Sequence, residues 1–280
     1  MEFLLVDVFA DSVGTGATVP ILRLGVDGGD GPSMQGIATA LGFPDTAFLL
    51  DGAVAATPTL RIFTPEEEVH PSVRGVLAAG FMLLNGEDAV EITMLSSSGP
   101  QLVSRSGSTL ATPRAAAAPS PSAMSVDIDS LDVPQPIETL RTDQDVILVL
   151  GDREAVQTAQ PDLRAIAALH ERGLVLTARG DDEDFVSRFF APPNLAEDTV
   201  TASVNASLGR YWAERLGRTS LTARQLSRRG GLLMITITDG PVAIGGLVRP
   251  TLVGEIAQVR TAGETGAAPL ADHLDGATSL

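Results

Sequence analysis

FVSRFFAPPNLAEDTVTASVNASLGRYWAERLG, residues 185–217, runs an aromatic segment, an acidic turn and a long patterned segment together without a break. It holds five of the chain's eleven aromatic residues, which marks it as core-forming. Phe185, Phe189 and Phe190 read as a strand, and Pro192 and Pro193 stop it. From about Thr201, Val204, Leu208, Trp212 and Leu216 recur every four residues, the apolar face of a buried helix. Glu197 and Asp198 therefore stand just ahead of a helix N-terminus. A carboxylate there caps free backbone N–H groups and meets the helix dipole, or else it faces a site.

A second copy of this unit lies upstream. Arg61-Ile62-Phe63-Thr64-Pro65 matches Arg188-Phe189-Phe190-Ala191-Pro192 in three of five places, and acidic residues and an apolar helix (Val76, Leu77, Gly80, Phe81, Leu84) follow it in turn. Two strand–turn–helix units imply two related lobes whose helix N-termini point at a common cleft. Such a cleft binds anions through backbone N–H groups.

Composition narrows the chemistry. The 280 residues carry a formal charge of −16, and no basic stripe offsets it, which argues against nucleic acid or an anionic membrane surface as partner. All 19 basic residues are arginine, so a Schiff-base, pyridoxal-phosphate or P-loop lysine is excluded. With no cysteine there is no thiolate nucleophile and no disulfide. The three histidines, His70, His170 and His273, form no ligand motif, so neither a metal nor another cofactor is expected. With no secretory leader pattern and no long apolar run, a cytoplasmic location is the expectation.

Read in order, Phe3 to Phe9 and Val19 to Leu24 are strands joined by the Asp11–Gly16 turn. Gly14-Thr15-Gly16 leads into a strand, where a dinucleotide fingerprint needs a helix. Pro32 opens a helix that ends at Gly42, and Thr46 to Leu50 and Pro58 to Phe63 are strands. Val90–Met94 and Gln101–Ser104 pair around Ser98-Gly99-Pro100. Residues 112–123, TPRAAAAPSPSA, read as a linker or long surface loop between lobes. Asp145–Leu150 and Leu174–Ala178 are strands, with Pro161–Arg172 as an amphipathic helix between them. Leu232–Thr238 and Val242–Leu247 flank an Asp239-Gly240 hairpin turn. The expected division is an N-terminal lobe 1–118, a C-terminal lobe 119–258 and a disordered tail 259–280.

The motifs FLLVDVFAD, DTAFLL, LRIFTP, SRFFAP, EDTVTAS, YWAERLG and ARQLSRRGG resemble the PhzF-like (phenazine-biosynthesis-like) isomerases of the diaminopimelate-epimerase-like fold, over most of residues 1–256. The resemblance implies an α+β fold of two pseudo-symmetric lobes, each a mixed sheet or barrel wrapped around a central helix, and a homodimer. It also implies cofactor-free proton transfer. Asp45 stands where relatives carry the glutamate that is their general base and acid, with the arm shorter by one methylene. Asp198 and Ser203 are retained, Asp198 as a second acid or orienter and Ser203 as an anion holder.

Several positions depart from the family pattern. Gly-Asn-Pro has become Gly16-Ala17-Thr18, and a Gly-His pair has become Val73-Arg74, followed by Gly75. A proton-exchanging imidazole is thus replaced by a guanidinium that can clamp a carboxylate but cannot be deprotonated. His70 either supplies an imidazole from another direction or is a plain loop residue. Further on, Ala202 stands for glycine, adding a methyl group where the backbone would approach a ligand, and Asn205 stands for histidine. Opposed carboxylates in one cleft are expected to raise each other's pKa.

The function expected from these residues is a cofactor-independent isomerase that moves a double bond in a small unsaturated carboxylic or amino acid. Asp45 and Asp198 are its catalytic carboxylates, and Arg74, Ser203, Gly75, Ala202 and His70 are its substrate-binding residues. Its expected setting is bacterial secondary metabolism, on an alkylproline or phenazine-like precursor. The alternative is a catalytically inactive binding protein, which the changes near the chemistry would also fit; a racemase or epimerase would need two opposed bases.

Overall fold

In the computed structural model, which describes residues 1–25, 30–52, 57–121, 126–192 and 196–256, the chain builds one succession of elements twice. The first round is β1 (Glu2–Val8), β2 (Ala17–Leu24), α1 (Gly31–Leu41), β3 (Thr46–Leu50), β4 (Thr59–Phe63), the short β5 (Glu68–Val69), α2 (Val73–Leu84), β6 (Glu91–Met94), β7 (Gln101–Ser106) and β8 (Thr109–Arg114). The second is β9 (Ser120–Pro121), α3 (Ile128–Leu131), β10 (Glu138–Arg141), β11 (Asp145–Val149), α4 (Arg153–Thr158), α5 (Leu163–Ala167), β12 (Gly173–Arg179), β13 (Phe185–Phe190), α6 (Ala202–Leu216), β14 (Ser220–Gln225), β15 (Gly231–Thr236) and β16 (Val242–Glu255).

The pairing repeats as well. β1 runs antiparallel to β2, β2 parallel to β3 and β3 antiparallel to β4; β10 to β13 repeat these three relations. Each round then closes with an antiparallel meander, β6–β7–β8 in one and β14–β15–β16 in the other. Both lobes follow from the strand pattern of the sequence, since the parallel pairs are buried on both faces and read as apolar runs such as DVILV.

The last strand of each round crosses over. Val242–Leu247 of β16 pairs with β15 and with β8, and from Val248 onward the same strand pairs with β1. In the first round β8 leads to β9, which pairs with β10. Strand pairing thus passes the 118/119 boundary in both directions, and one continuous ladder carries both lobes.

Residues 112–123 are therefore not simply a linker. Thr112, Pro113 and Arg114 belong to β8, Ser120 and Pro121 form β9, and residues 122 and 123 lie outside the described residues. β8 forms despite this composition because neighbouring backbone holds it on both sides. The expected helix over Pro161–Arg172 is shorter, Leu163–Ala167, and the chain leaves it to put the Arg172 N–H on the Gln144 carbonyl at 2.6 Å, where β12 begins. Pro193, the turn over residues 27–29 and the tail 259–280 lie outside the described residues.

Two helices lie at the centre of the lobes. α2, VRGVLAAGFMLL, is apolar on nearly every side because it packs against β1, β2, β3, β7 and β8. Ser72 caps it, accepting from the Gly75 N–H at 3.1 Å. α6 packs on β13, β14, β15 and β16 with Val204, Leu208 and Trp212 buried as their spacing requires, and Gly217 ends it in the left-handed conformation. The starts of α2 and α6 meet between the lobes.

Candidate active site

A cavity of about 590 Å³ opens at this meeting point. His70, Ser72, Val73 and Arg74 border it from the first lobe; Asp198, Val200, Ala202 and Ser203 border it from the second. The backbone N–H groups of Val73, Arg74, Ala202 and Ser203 carry no hydrogen bond among the described residues, as first-turn donors do not. They are the donors a helix-start anion site requires.

Arg74 is the hinge of the electrostatics. Its Nε donates to Asp45 Oδ2 at 2.5 Å, and its Nη1 donates to Asp198 Oδ1 at 3.0 Å, so one guanidinium spans both carboxylates. Burial works against its charge, but the carboxylates of Asp45 and Asp198 outweigh that and hold its pKa above the ordinary arginine value. Asp45 Oδ2 also accepts from the Ser72 hydroxyl at 2.5 Å, and Asp198 Oδ2 accepts from the Thr201 hydroxyl at 2.6 Å. The two aspartates were expected to oppose each other directly; instead a cation stands between them.

The residues named from the sequence take different places. Asp45 is buried behind Ser72 and Arg74 rather than on the cavity wall, and its Oδ1 has no hydrogen bond among the described residues. Asp198 faces the cavity with both oxygens engaged. Ser203 and Ala202 are on the wall, and His70 is at the rim, its Nδ1 3.0 Å from Ser98 Oγ. Gly75 is turned away from the cavity: its N–H is taken by Ser72 and its Cα faces Ile62, where a Cβ would come within 2.5 Å of Cδ1. Arg74, expected as a carboxylate clamp, already spends two of its donor atoms on Asp45 and Asp198.

Asp198 does not cap α6 in the usual way, since its side chain takes a hydroxyl and a guanidinium rather than backbone N–H groups. A buried amide network does that work. Gln225 Oε1 accepts from the Thr201 N–H at 2.8 Å and from Asn205 Nδ2 at 2.9 Å, and Gln225 Nε2 donates to the Asp198 carbonyl at 2.8 Å. Asn205 Oδ1 accepts from Ser187 at 2.9 Å, so Asn205 lies in the support of the helix start and away from the cavity. Arg188 fixes the acidic turn from outside, donating to Glu197 Oε1 at 2.6 Å and to the carbonyl of Ala159 at 2.6 Å.

Two charged cavity residues had drawn no attention in the sequence as site groups, Arg114 and Arg172. Arg114 sat inside the apparent linker, and Arg172 at the end of an apparent helix. Only the three-dimensional crossing of β8 and the entry to β12 bring them to the cleft.

A family model described as phenazine biosynthesis-like protein, PhzC–PhzF, matches residues 6–247. The chain belongs to the PhzC–PhzF family. A family relative from Pseudomonas aeruginosa, described as an uncharacterized isomerase, is 37% identical over 250 residues, covering 88% of this chain and 94% of that protein. A crystal structure of a PhzF-family protein from Enterococcus faecalis superposes with a TM-score of 0.86 at 31% identity, over 92% of this chain and all of the other. A hydroxyproline epimerase from Agrobacterium vitis shares the fold alone, with a TM-score of 0.56 at 9% identity over 91% of each chain. The PhzF-like family and the two-lobed epimerase-like fold expected from the motifs are both borne out. The described residues include no helix long and apolar enough to cross a membrane.

Proposed function

We propose that this protein is a cofactor-independent isomerase that moves a proton, and with it a double bond, in a small unsaturated carboxylic or amino acid. The observation that carries the proposal is the Asp45–Arg74–Asp198 bridge at the head of two helices, on a cavity of small-molecule size. Relatives described as isomerases support the reaction class.

In this reading the ligand enters past Ser72 and Arg74, behind which Asp45 lies, and Asp45, through its unbonded Oδ1, removes a proton from a carbon next to the unsaturated system. The electron pair moves into the conjugated carbonyl or carboxylate, and the helix-start N–H groups stabilise the added negative charge. The proton that Asp45 took returns at another carbon, so the net change is a shifted double bond with no redox step, and Asp198, accepting from Arg74 and Thr201, orients the site. Arg74 takes no part in proton exchange, because a guanidinium does not deprotonate. Its role is to hold the two carboxylates at fixed separation. Bacterial secondary metabolism, on an alkylproline or phenazine-like precursor, is the setting we propose, with the protein acting as a homodimer in the cytoplasm.

A second reading, a catalytically inactive binding protein, draws on the same bridge. Arg74 shields Asp45 and engages both carboxylates, which a site that only binds would tolerate. Proton NMR in deuterated buffer with cyclic and open-chain unsaturated amino acids separates the two. Deuterium entering a product carbon is the expected result; ligand broadening with no exchange across the panel would leave only binding.

A further inference from the structure

The two walls of the cleft are unlike, and the repeat shows where they differ. Thr46 faces Phe63 across β3 and β4, while Leu174 faces Phe190 across β12 and β13. Matching Phe63 to Phe190, as the sequence repeat does, puts Gly173 at the counterpart of Asp45. No side chain fits there, since a Cβ on Gly173 would lie 2.2 Å from the Phe190 carbonyl oxygen. The repeat therefore puts no second carboxylate at the position equivalent to Asp45, and Asp198 is the carboxylate that the second lobe brings to the cleft.

Beside that position the second lobe carries a cation. Arg172, next to Gly173, is held by two hydrogen bonds to Asp145, 2.9 Å from Nε and 2.6 Å from Nη2, and its guanidinium lies 5.0 Å from the centre of the Phe189 ring. Arg114 reaches the same cavity from β8. Arg74 is matched by two carboxylates and Arg172 by one, whereas the Arg114 guanidinium has neither ion pair nor hydrogen bond among the described residues. An unmatched guanidinium and a prefixed one on the same cavity are suited to a carboxylate.

We infer that Arg114 and Arg172 form the anchor for the ligand's carboxylate. This sets the ligand's direction: acid group toward Arg114 and Arg172, reacting carbon toward the Arg74 bridge. The anchor deepens the isomerase reading and rests on it only for that last point; carboxylate binding itself is independent of turnover.

The test is equilibrium binding, by ligand-observed NMR on the whole protein, of a panel of unsaturated carboxylates that includes sorbate, each beside its neutral amide. Wild type is expected to bind at least one acid about tenfold or more tightly than its amide, and added salt should weaken that preference. Arg114→Gln, a change at an exposed position, should abolish the preference while the protein stays folded; Arg172→Lys should reduce it. No acid preferred over its amide, or a preference that survives Arg114→Gln, overturns the anchor. Acid-selective binding lost in Arg114→Gln without deuterium exchange in wild type keeps the anchor and removes the isomerase. Turnover whose KM is unchanged by Arg114→Gln does the reverse.

Discussion

Arg74 Nη1 lies 3.0 Å from Asp198 Oδ1, a contact between the starts of two helices that are 124 residues apart in sequence. Both side chains are largely buried, so the pair is shielded from solvent and from salt. Arg74→Met leaves two buried carboxylates without their cation. It is expected to destabilise the fold by about 3–5 kcal/mol in chemical denaturation. Arg74→Lys keeps the charge but not the two-way fork and should lie between that and wild type. A loss below about 1 kcal/mol for Arg74→Met would show that the bridge is not formed in solution.

Gln225 is the clamp beneath Asp198. Gln225→Ala removes the acceptor for the Thr201 N–H and Asn205 Nδ2 together with the donor to the Asp198 carbonyl. Leaving such groups unpaired in the interior costs about 1–3 kcal/mol. Thermal unfolding should show the loss, and the deuterium exchange rate should fall as Asp198 is released. An unchanged midpoint would mean that water replaces the amide at no cost.

Gly231 supports the cavity wall from behind. A Cβ there would come 2.4 Å from Val200 Cγ2 and 3.3 Å from the Phe9 carbonyl oxygen. Gly231→Ala must push Val200, a wall residue, toward the cavity, at an expected cost of about 1–3 kcal/mol and with weaker ligand binding. Stability and affinity both equal to wild type would contradict this packing.

The single tyrosine offers a spectroscopic check. Burial pushes the Tyr211 phenol up to about 12, the nearby Arg215 guanidinium pulling the other way. In the unfolded chain it ionises near 10. The folded state thus holds its proton more tightly, and the stability contributed by Tyr211 is complete below pH 10 and is lost as pH rises toward 12. Absorbance at 295 nm should show little phenolate while the protein remains folded above pH 10. A midpoint near 10 in the folded protein would place the ring in solvent.

Much of this fold was legible because its cues are local. The four-residue spacing of Val204, Leu208 and Trp212, the Pro32 and Gly42 punctuation of α1 and the repeat of Arg-x-Phe-x-Pro all state a preference within a few residues. The linker-like 112–123 misled because β8 is held by pairing with β7 and β16, which its own sequence, TLATPR, does not announce. The site divides the same way. Its carboxylates stood out from motif wording, whereas the insertion of Arg74 between them, the retreat of Asn205 into a buried network and the arrival of Arg114 at the cavity depend on contacts between residues far apart in sequence.

The central claim is that Asp45 removes a proton from carbon in this cleft. Deuterium incorporation into an unsaturated carboxylic or amino acid, followed by proton NMR for wild type and Asp45→Asn side by side, tests it most directly. Asp45→Asn keeps the shape of the side chain and removes its basicity, so the account predicts exchange in wild type and a loss of at least about a hundredfold in the variant. Exchange that continues at the wild-type rate in Asp45→Asn would contradict the claim.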